Sequence, residues 1–233
     1  MDNRCIALYD SGVGGLVLLK RLKDSFPSED FLYFSDSKNF PYGDKRADEL
    51  KLIAENKITK IVSFSPKFIV LACNTLSTAI LNDYSNFCVK VFGVLPVVPP
   101  NKKTLLIATK ATANSDYVKR IIKNKDADVI SAEGLADEIE RWVVGGKKPD
   151  IAERFKDTYK NYDVVSLGCT HYTLLKDEFS KVFPFSTICD GGDVTFEKIK
   201  GLLPTIQHAE QKGSVIFFNK KDEEWFYRLN REF

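Results

Sequence analysis

Short apolar runs recur along this chain, and between them apolar positions return every three or four residues. The runs CIALY (5–9), FLYFS (31–35), FIVLA (68–72), VKVFGV (89–94), TLLIA (104–108), ADVIS (127–131), VVSLG (164–168), FSTIC (185–189) and SVIFF (214–218) read as strands. Leu16, Leu19, Leu22 and Phe26 fall on one helical face, and Pro27 ends that helix. Leu50, Ile53, Ala54, Ile58, Ile61 and Val62 define a second, long helix. Further helices are expected near 115–124, 135–144, 150–161, 174–183, 193–203 and 222–232. Strands alternating with helices predict βαβ units, mainly parallel sheets and an α/β fold. Strands covered on both faces read as continuous apolar runs, as these do.

One segment breaks the alternation. VLPVVPPNKK (94–103) holds three prolines and no helical period, and is expected to cross between two α/β halves. A faint repeat supports two halves. FIVLACNT and VVSLGCTH each run a strand into a cysteine, with Cys73 and Cys169 96 positions apart. CIALYDS and TLLIATK match as strand-to-turn units, with Asp10 and Thr109 99 positions apart. The predicted division is 1–95 together with 205–233, and 96–204.

Composition narrows the function classes. The 233 residues are 44% hydrophobic and 28% charged, enough for real cores in one large or two small domains. Net charge is only +2 with both signs interleaved, so neither nucleic acid nor an anionic membrane is expected as a partner. The start MDNRCIALYDSG lacks the form of a signal peptide, and every apolar stretch is too short to span a bilayer; a cytoplasmic location is expected. Five cysteines without a C-x-x-C pair, and two histidines, argue against a disulfide framework, a redox pair or a structural zinc site.

In open α/β sheets, ligands bind beyond the carboxyl ends of the strands. Four polar clusters are expected there: DSGVGG (10–15), CNTLST (73–78), TKATANS (109–115) and CTHYT (169–173). Each alone reads as an N-capped strand-to-helix turn; the convergence of four points to a site. DSGVGG has Val17 where G-x-G-x-x-G needs its third glycine, and it lacks the Lys-Ser/Thr end of a phosphate loop. The turn instead offers backbone N–H groups suited to a carboxylate. Cys5, Cys88 and Cys189 lie in or beside strands and read as small hydrophobes. Cys73 and Cys169 differ, because each ends a strand just before a helix, where the helix start lowers a thiol pKa. Two such thiols in related halves would face one another across a cleft. That arrangement suits inversion of a carbon acid: one thiolate removes a proton from one face, and one thiol returns a proton to the other.

These residues resemble the cofactor-independent glutamate racemases of the aspartate/glutamate racemase superfamily. The resemblance rests on YDSGVGGL (9–16), NFPYG (39–43), ACNT (72–75), IATKAT (107–112) with Ser115, and LGCTHYTLL (167–175), in family order. It implies two pseudo-symmetric three-layer α/β domains, an inter-domain active-site cleft, no cofactor and no metal. By motif, Cys73 and Cys169 would be the acid/base thiols, with Asp10 and His171 as their respective supporting groups. Ser11, Tyr42, Gly43, Asn74, Thr75, Thr112 and Thr170, together with Asp10 and His171, would contact glutamate. Glu140 in DEIERWVVGG would match the family's further acidic residue near the second thiol; read alone, it is an exposed helical glutamate. The implied activity is interconversion of L- and D-glutamate, supplying D-glutamate for peptidoglycan, in a protein that can pair as a homodimer. Action on aspartate or another small acid, and binding of a small acid without turnover, are the alternatives. Three features depart from the family pattern: a shortened stretch before TLLIAT, Leu95 ahead of Pro96, and Leu76 after CNT.

Overall fold

The computed structural model describes residues 4–158, 161–203 and 212–232. All nine expected strands are present: β1 (Ile6–Asp10), β2 (Phe31–Ser35), β3 (Ile69–Leu71), β4 (Val91–Gly93), β5 (Thr104–Ala108), β6 (Ala127–Ser131), β7 (Val164–Gly168), β8 (Thr187–Asp190) and β9 (Val215–Phe217). They form two sheets, ordered β4-β3-β1-β2-β9 and β6-β5-β7-β8, and every pairing is parallel. Setting β1–β4 beside β5–β8 gives the same order in both sheets, with β9 added to the first. The faint repeat in the sequence is thus matched by a repeated strand order. Residues 94–103 carry the chain from β4 in the first sheet to β5 in the second.

The helices are α1 (Leu16–Ser25), α2 (Ala47–Val62), α3 (Asn74–Ala79), α4 (Lys110–Ala113), α5 (Asp116–Ile122), α6 (Leu135–Val143), α7 (Ile151–Arg154), α8 (Lys176–Val182), α9 (Gly191–Leu202) and α10 (Lys220–Glu232). Short 3₁₀ segments occupy Leu81–Asn86 and Thr170–Leu175. Alternation along β1 shows why the first sheet is one of three layers. Ile6 and Leu8 face a core shared with α1 and with Trp225, Phe226 and Leu229 of α10, while Ala7 and Tyr9 face Leu50, Ala54, Ile58 and Ile61 of α2. On β5, Leu105 and Ile107 join that same first core with α6 and α8, whereas Leu106 and Ala108 pack on Val118 of α5. One apolar cluster therefore runs through both sheets.

Three expectations need correction. The helix expected over 150–161 is a single turn, α7, and residues 159–160 lie outside the described residues. Ile151 and Phe155 are buried, with Phe155 stacked near Phe179 and Phe183, but Lys156 and Asp157 are exposed and no burial supports another turn. The helix expected from 174 begins at 176, because Thr170–Leu175 stays in the tighter 3₁₀ form. Cys88 is exposed rather than a small core hydrophobe. The expected boundary between 204 and 205 also lies outside the described residues.

Candidate active site

Four chain segments meet at the carboxyl ends of the central strands. β1 delivers Asp10, β3 runs into Cys73, β5 into Thr109 and β7 into Cys169. Asp10 is fully buried and receives three hydrogen bonds. Gly12 N–H donates to Oδ1 at 2.9 Å, Ser11 Oγ to the same oxygen at 3.4 Å, and Thr170 Oγ1 to Oδ2 at 3.1 Å. Burial raises the Asp10 carboxyl, opposed by the charge of His171 and by the bonds from Gly12 and Thr170. Thr170 belongs to the second sheet's side, so Asp10 ties the two halves together.

The glycines of DSGVGG serve close approach. A Cβ on Gly14 would lie 2.6 Å from His171 N and 2.7 Å from Thr170 Oγ1. The turn's N–H groups, expected to offer themselves to a ligand carboxylate, bind the protein's own carboxylates: Gly12 N–H takes Asp10 and Val13 N–H takes Glu140 Oε2 at 3.1 Å.

Around Cys169 the groups form a chain. His171 Nδ1 lies 4.0 Å from Cys169 Sγ, and His171 Nε2 lies 2.8 Å from Glu140 Oε2. Lys221 Nζ donates to Glu140 Oε1 at 2.7 Å. Glu140 is buried, not an exposed helical residue, because α6 turns it inward beside Ile139 and Val143. Burial pushes its carboxyl up, but the hydrogen bond and charge of His171, followed by those of Lys221, outweigh burial and hold it at about 2. Burial likewise lowers the His171 imidazole, yet Cys169 and Glu140 hold it well above the usual histidine range. Phe40, from the NFPYG loop, covers the ring with centroids 5.5 Å apart.

Cys73 has different company. Its Sγ lies 3.6 Å from Ser11 Oγ, and Ser11 in turn reaches Asp10. The expected lowering of this thiol does not occur: burial and then the Asp10 carboxylate push it up to about 12, against the hydrogen bond from the start of α3. Among the described residues Asp10 reaches Cys73 through Ser11 and not by a direct bond.

Both thiols line one small cavity of about 30 Å³ between the halves, with Ser11, Thr75 and His171. Tyr42 and Gly43 also border it. The Tyr42 hydroxyl is turned away, however, donating to Asp36 Oδ2 at 2.7 Å and sharing a bond with Tyr9 at 2.6 Å. Asp10, Asn74, Thr112, Thr170 and Glu140 stand outside this lining. Thr112 closes a hydroxyl triangle with Thr75 and Thr109, at 3.0 and 2.9 Å. Asn74 Nδ2 is buried and has no hydrogen-bond partner among the described residues, an unusual state for a buried amide. A wider cleft of about 420 Å³ adjoins the cavity and shares Gly43, Asp44, Thr75 and Lys110 with it.

Sequence reasoning did not select Lys221, Thr109 or Phe40 as site residues. Phe40 and Thr109 lie inside quoted motifs. Nothing in the spacing of Lys221 sets it apart from the other lysines. No cluster of three or more metal-ligating side chains occurs among the described residues, and no described helix is long and apolar enough to cross a membrane.

No family model matches the chain. The glutamate racemase of Clostridium acetobutylicum is 32% identical over 245 residues, spanning 96% of this chain and 94% of that protein. The solved glutamate racemase of Thermus thermophilus, in complex with β-chloro-D-alanine, superposes with a TM-score of 0.82 at 28% identity, covering 97% of this chain and 93% of that one. The Francisella tularensis glutamate racemase in complex with D-glutamate gives a TM-score of 0.81 at 26% identity, covering 97% of this chain and 95% of that one. Likeness of this extent in both sequence and fold places the chain in the glutamate racemase family, a family of isomerases.

Proposed function

We propose that this protein interconverts L- and D-glutamate by a two-base mechanism, with Cys73 and Cys169 as acid and base on opposite faces of the α-carbon. The carrying observation is that two buried thiols, at the ends of the equivalent strands β3 and β7, line one cavity.

The surroundings of the two sulfurs support a division of labour. A two-base racemase needs one thiolate and one thiol at the start of each turnover. His171, held above the usual histidine range by Cys169 and then by Glu140, sets a cation beside the Cys169 sulfur, where a thiolate would face it. Cys73, pushed up to about 12, holds its proton. The Cys169 thiolate takes the α-proton and becomes a thiol, and the electron pair stays on the α-carbon. The Cys73 thiol then delivers its proton to the opposite face and becomes a thiolate. The reverse reaction starts from that exchanged state. The substrate carboxylates would be held by the hydroxyls of Ser11, Thr75 and Thr112, by the amide of Asn74, and by main-chain donors near Gly43 and Thr170. We assign the protein to the cytoplasm, where its D-glutamate would feed peptidoglycan synthesis.

The test is incubation of purified protein with L-glutamate in D2O without added cofactor, with an L-aspartate arm alongside. Racemisation with deuterium at the α-carbon is expected for glutamate. Unchanged glutamate in the presence of folded protein overturns the proposal, and turnover of aspartate alone reassigns the substrate.

A further inference from the structure

We propose that Lys221, on the C-terminal helix α10, is a positioning residue for the Cys169 half of the site, acting through Glu140 and His171. The inference rests on the two-thiol reading above and adds a residue outside the five motifs, in the segment FFNKKDEEWFYRL (217–229), which resembles the family's closing segment more loosely.

The geometry forms a linear relay. Lys221 Nζ binds Glu140 Oε1 at 2.7 Å, while Glu140 Oε2 receives Val13 N–H at 3.1 Å and His171 Nε2 at 2.8 Å. His171 then presents Nδ1 to Cys169 Sγ at 4.0 Å. A buried carboxylate is costly unless its oxygens are satisfied, and here each oxygen has a defined partner. Lys221 fixes the outer oxygen, so the inner one faces His171, and with it the ring faces the sulfur. Lys221 is itself held from both sides. Its N–H donates to Asn219 Oδ1 at 3.1 Å at the start of α10, and the helix is anchored by buried Trp225, Phe226 and Leu229. Its side chain is about a third exposed, at 32%, so removing it leaves the core intact.

The relay has no counterpart at Cys73. That thiol is reached through Ser11 and Asp10, which among the described residues bind Gly12 and Thr170 and no lysine. The two sheets repeat one strand order, but α10 follows β9, the strand that only the first sheet possesses. Loss of Lys221 therefore handicaps proton transfer at Cys169 and leaves transfer at Cys73 unchanged.

A racemisation has an equilibrium constant of one, so kcat/KM must fall equally in both directions. The readout that separates the thiols is the isotope effect. In Lys221→Met, kcat/KM for L- and D-glutamate is expected to fall about tenfold, the loss that about 1.4 kcal/mol on the barrier produces. With α-deuterated substrates, the primary isotope effect on kcat/KM should rise for the enantiomer deprotonated by Cys169 and fall for its mirror image, because the Cys169 step becomes limiting. Lys221→Arg should recover most of the activity. In a Glu140→Gln background, Lys221→Met should add no further loss, since its partner is already altered. Should Lys221→Met unfold, Lys221→Gln carries the same measurements. Activity within twofold of wild type, isotope effects moving alike for both enantiomers, or Lys221→Arg no better than Lys221→Met each overturns the inference. Wild-type protein that leaves glutamate unchanged overturns instead the two-thiol reading on which it rests.

Discussion

Cys73 and Cys169 are the same residue at equivalent strand ends, yet they have different neighbours. One sits behind a serine and a buried aspartate; the other beside an imidazole backed by a carboxylate and an ammonium. Serine is nearly isosteric with cysteine but far less acidic, so it can fill either position without serving as the base. Cys73→Ser and Cys169→Ser should each lower racemisation by ~10²–10⁴-fold, the span of a general acid–base contribution, while thermal melts stay close to wild type. Full activity in either variant removes that thiol from the mechanism. At this scale residue types were legible in the sequence, whereas hydroxyl direction was not. Tyr42 belongs to a site motif, but its hydroxyl binds Asp36 and Tyr9, a choice made by side chains 6 and 33 positions away.

Among the elements, strands were easiest to anticipate, because burial on both faces leaves an unbroken apolar run that needs no tertiary information. Helix extent was harder. α7 stops after one turn because burial ends at Phe155, and burial depends on where α8 lies. The DSGVGG turn shows how an element's role depends on its partner. Its glycines suggested a ligand cradle; in the fold they let the first half approach the His171 turn within the space a methyl group would need. Gly14→Ala should therefore destabilise the protein by ~1–3 kcal/mol, the usual cost of overpacking, and reduce turnover by displacing His171. Gly201→Ala, in α9 with no described residue within 4 Å of the new methyl, should be neutral or stabilising by up to ~1 kcal/mol. Denaturant melts compare the two, and a Gly14→Ala protein as stable as wild type would refute the close-approach argument.

Across the whole molecule, the chain's return to the first sheet matters most. β9 pairs with β2, and α10 then passes beneath the junction, packing on α1 and setting Trp225 6.3 Å from Trp142 of α6. This return buries Asp222, which accepts from Ser35 and lies near Glu140. Burial, opposed by the Ser35 bond and assisted by the Glu140 charge, pushes the Asp222 carboxyl up to about 7. The folded state thus holds a proton that the unfolded chain releases near pH ~3.9. The stability from this group is full below about pH 4 and is lost as pH rises toward 7. Asp222→Asn keeps the acceptor for Ser35 and removes the charge. It should flatten stability between pH 4 and 7 and raise it at pH 8 by roughly 1–3 kcal/mol in denaturant melts. Equal stability of the two proteins at pH 8 would show that the carboxyl titrates normally. The junction also shapes access: the small cavity that both thiols line borders the wider cleft at Gly43, Asp44, Thr75 and Lys110.

By itself the sequence determined the alternation of elements, the parallel α/β class, the duplicated strand–cysteine units and the residue types at four strand ends. Each of these follows from local periodicity or from a motif spanning a few positions. The tertiary structure alone decided that Glu140 faces inward, that Lys221 and Asp222 lie under the site, and that Cys73 is pushed up despite preceding a helix. The physical reason is common to all three. Burial and electrostatic pairing depend on distances between residues far apart in the chain. The contact between Lys221 and Glu140, 81 positions apart, exists only because a ninth strand returns to the first sheet.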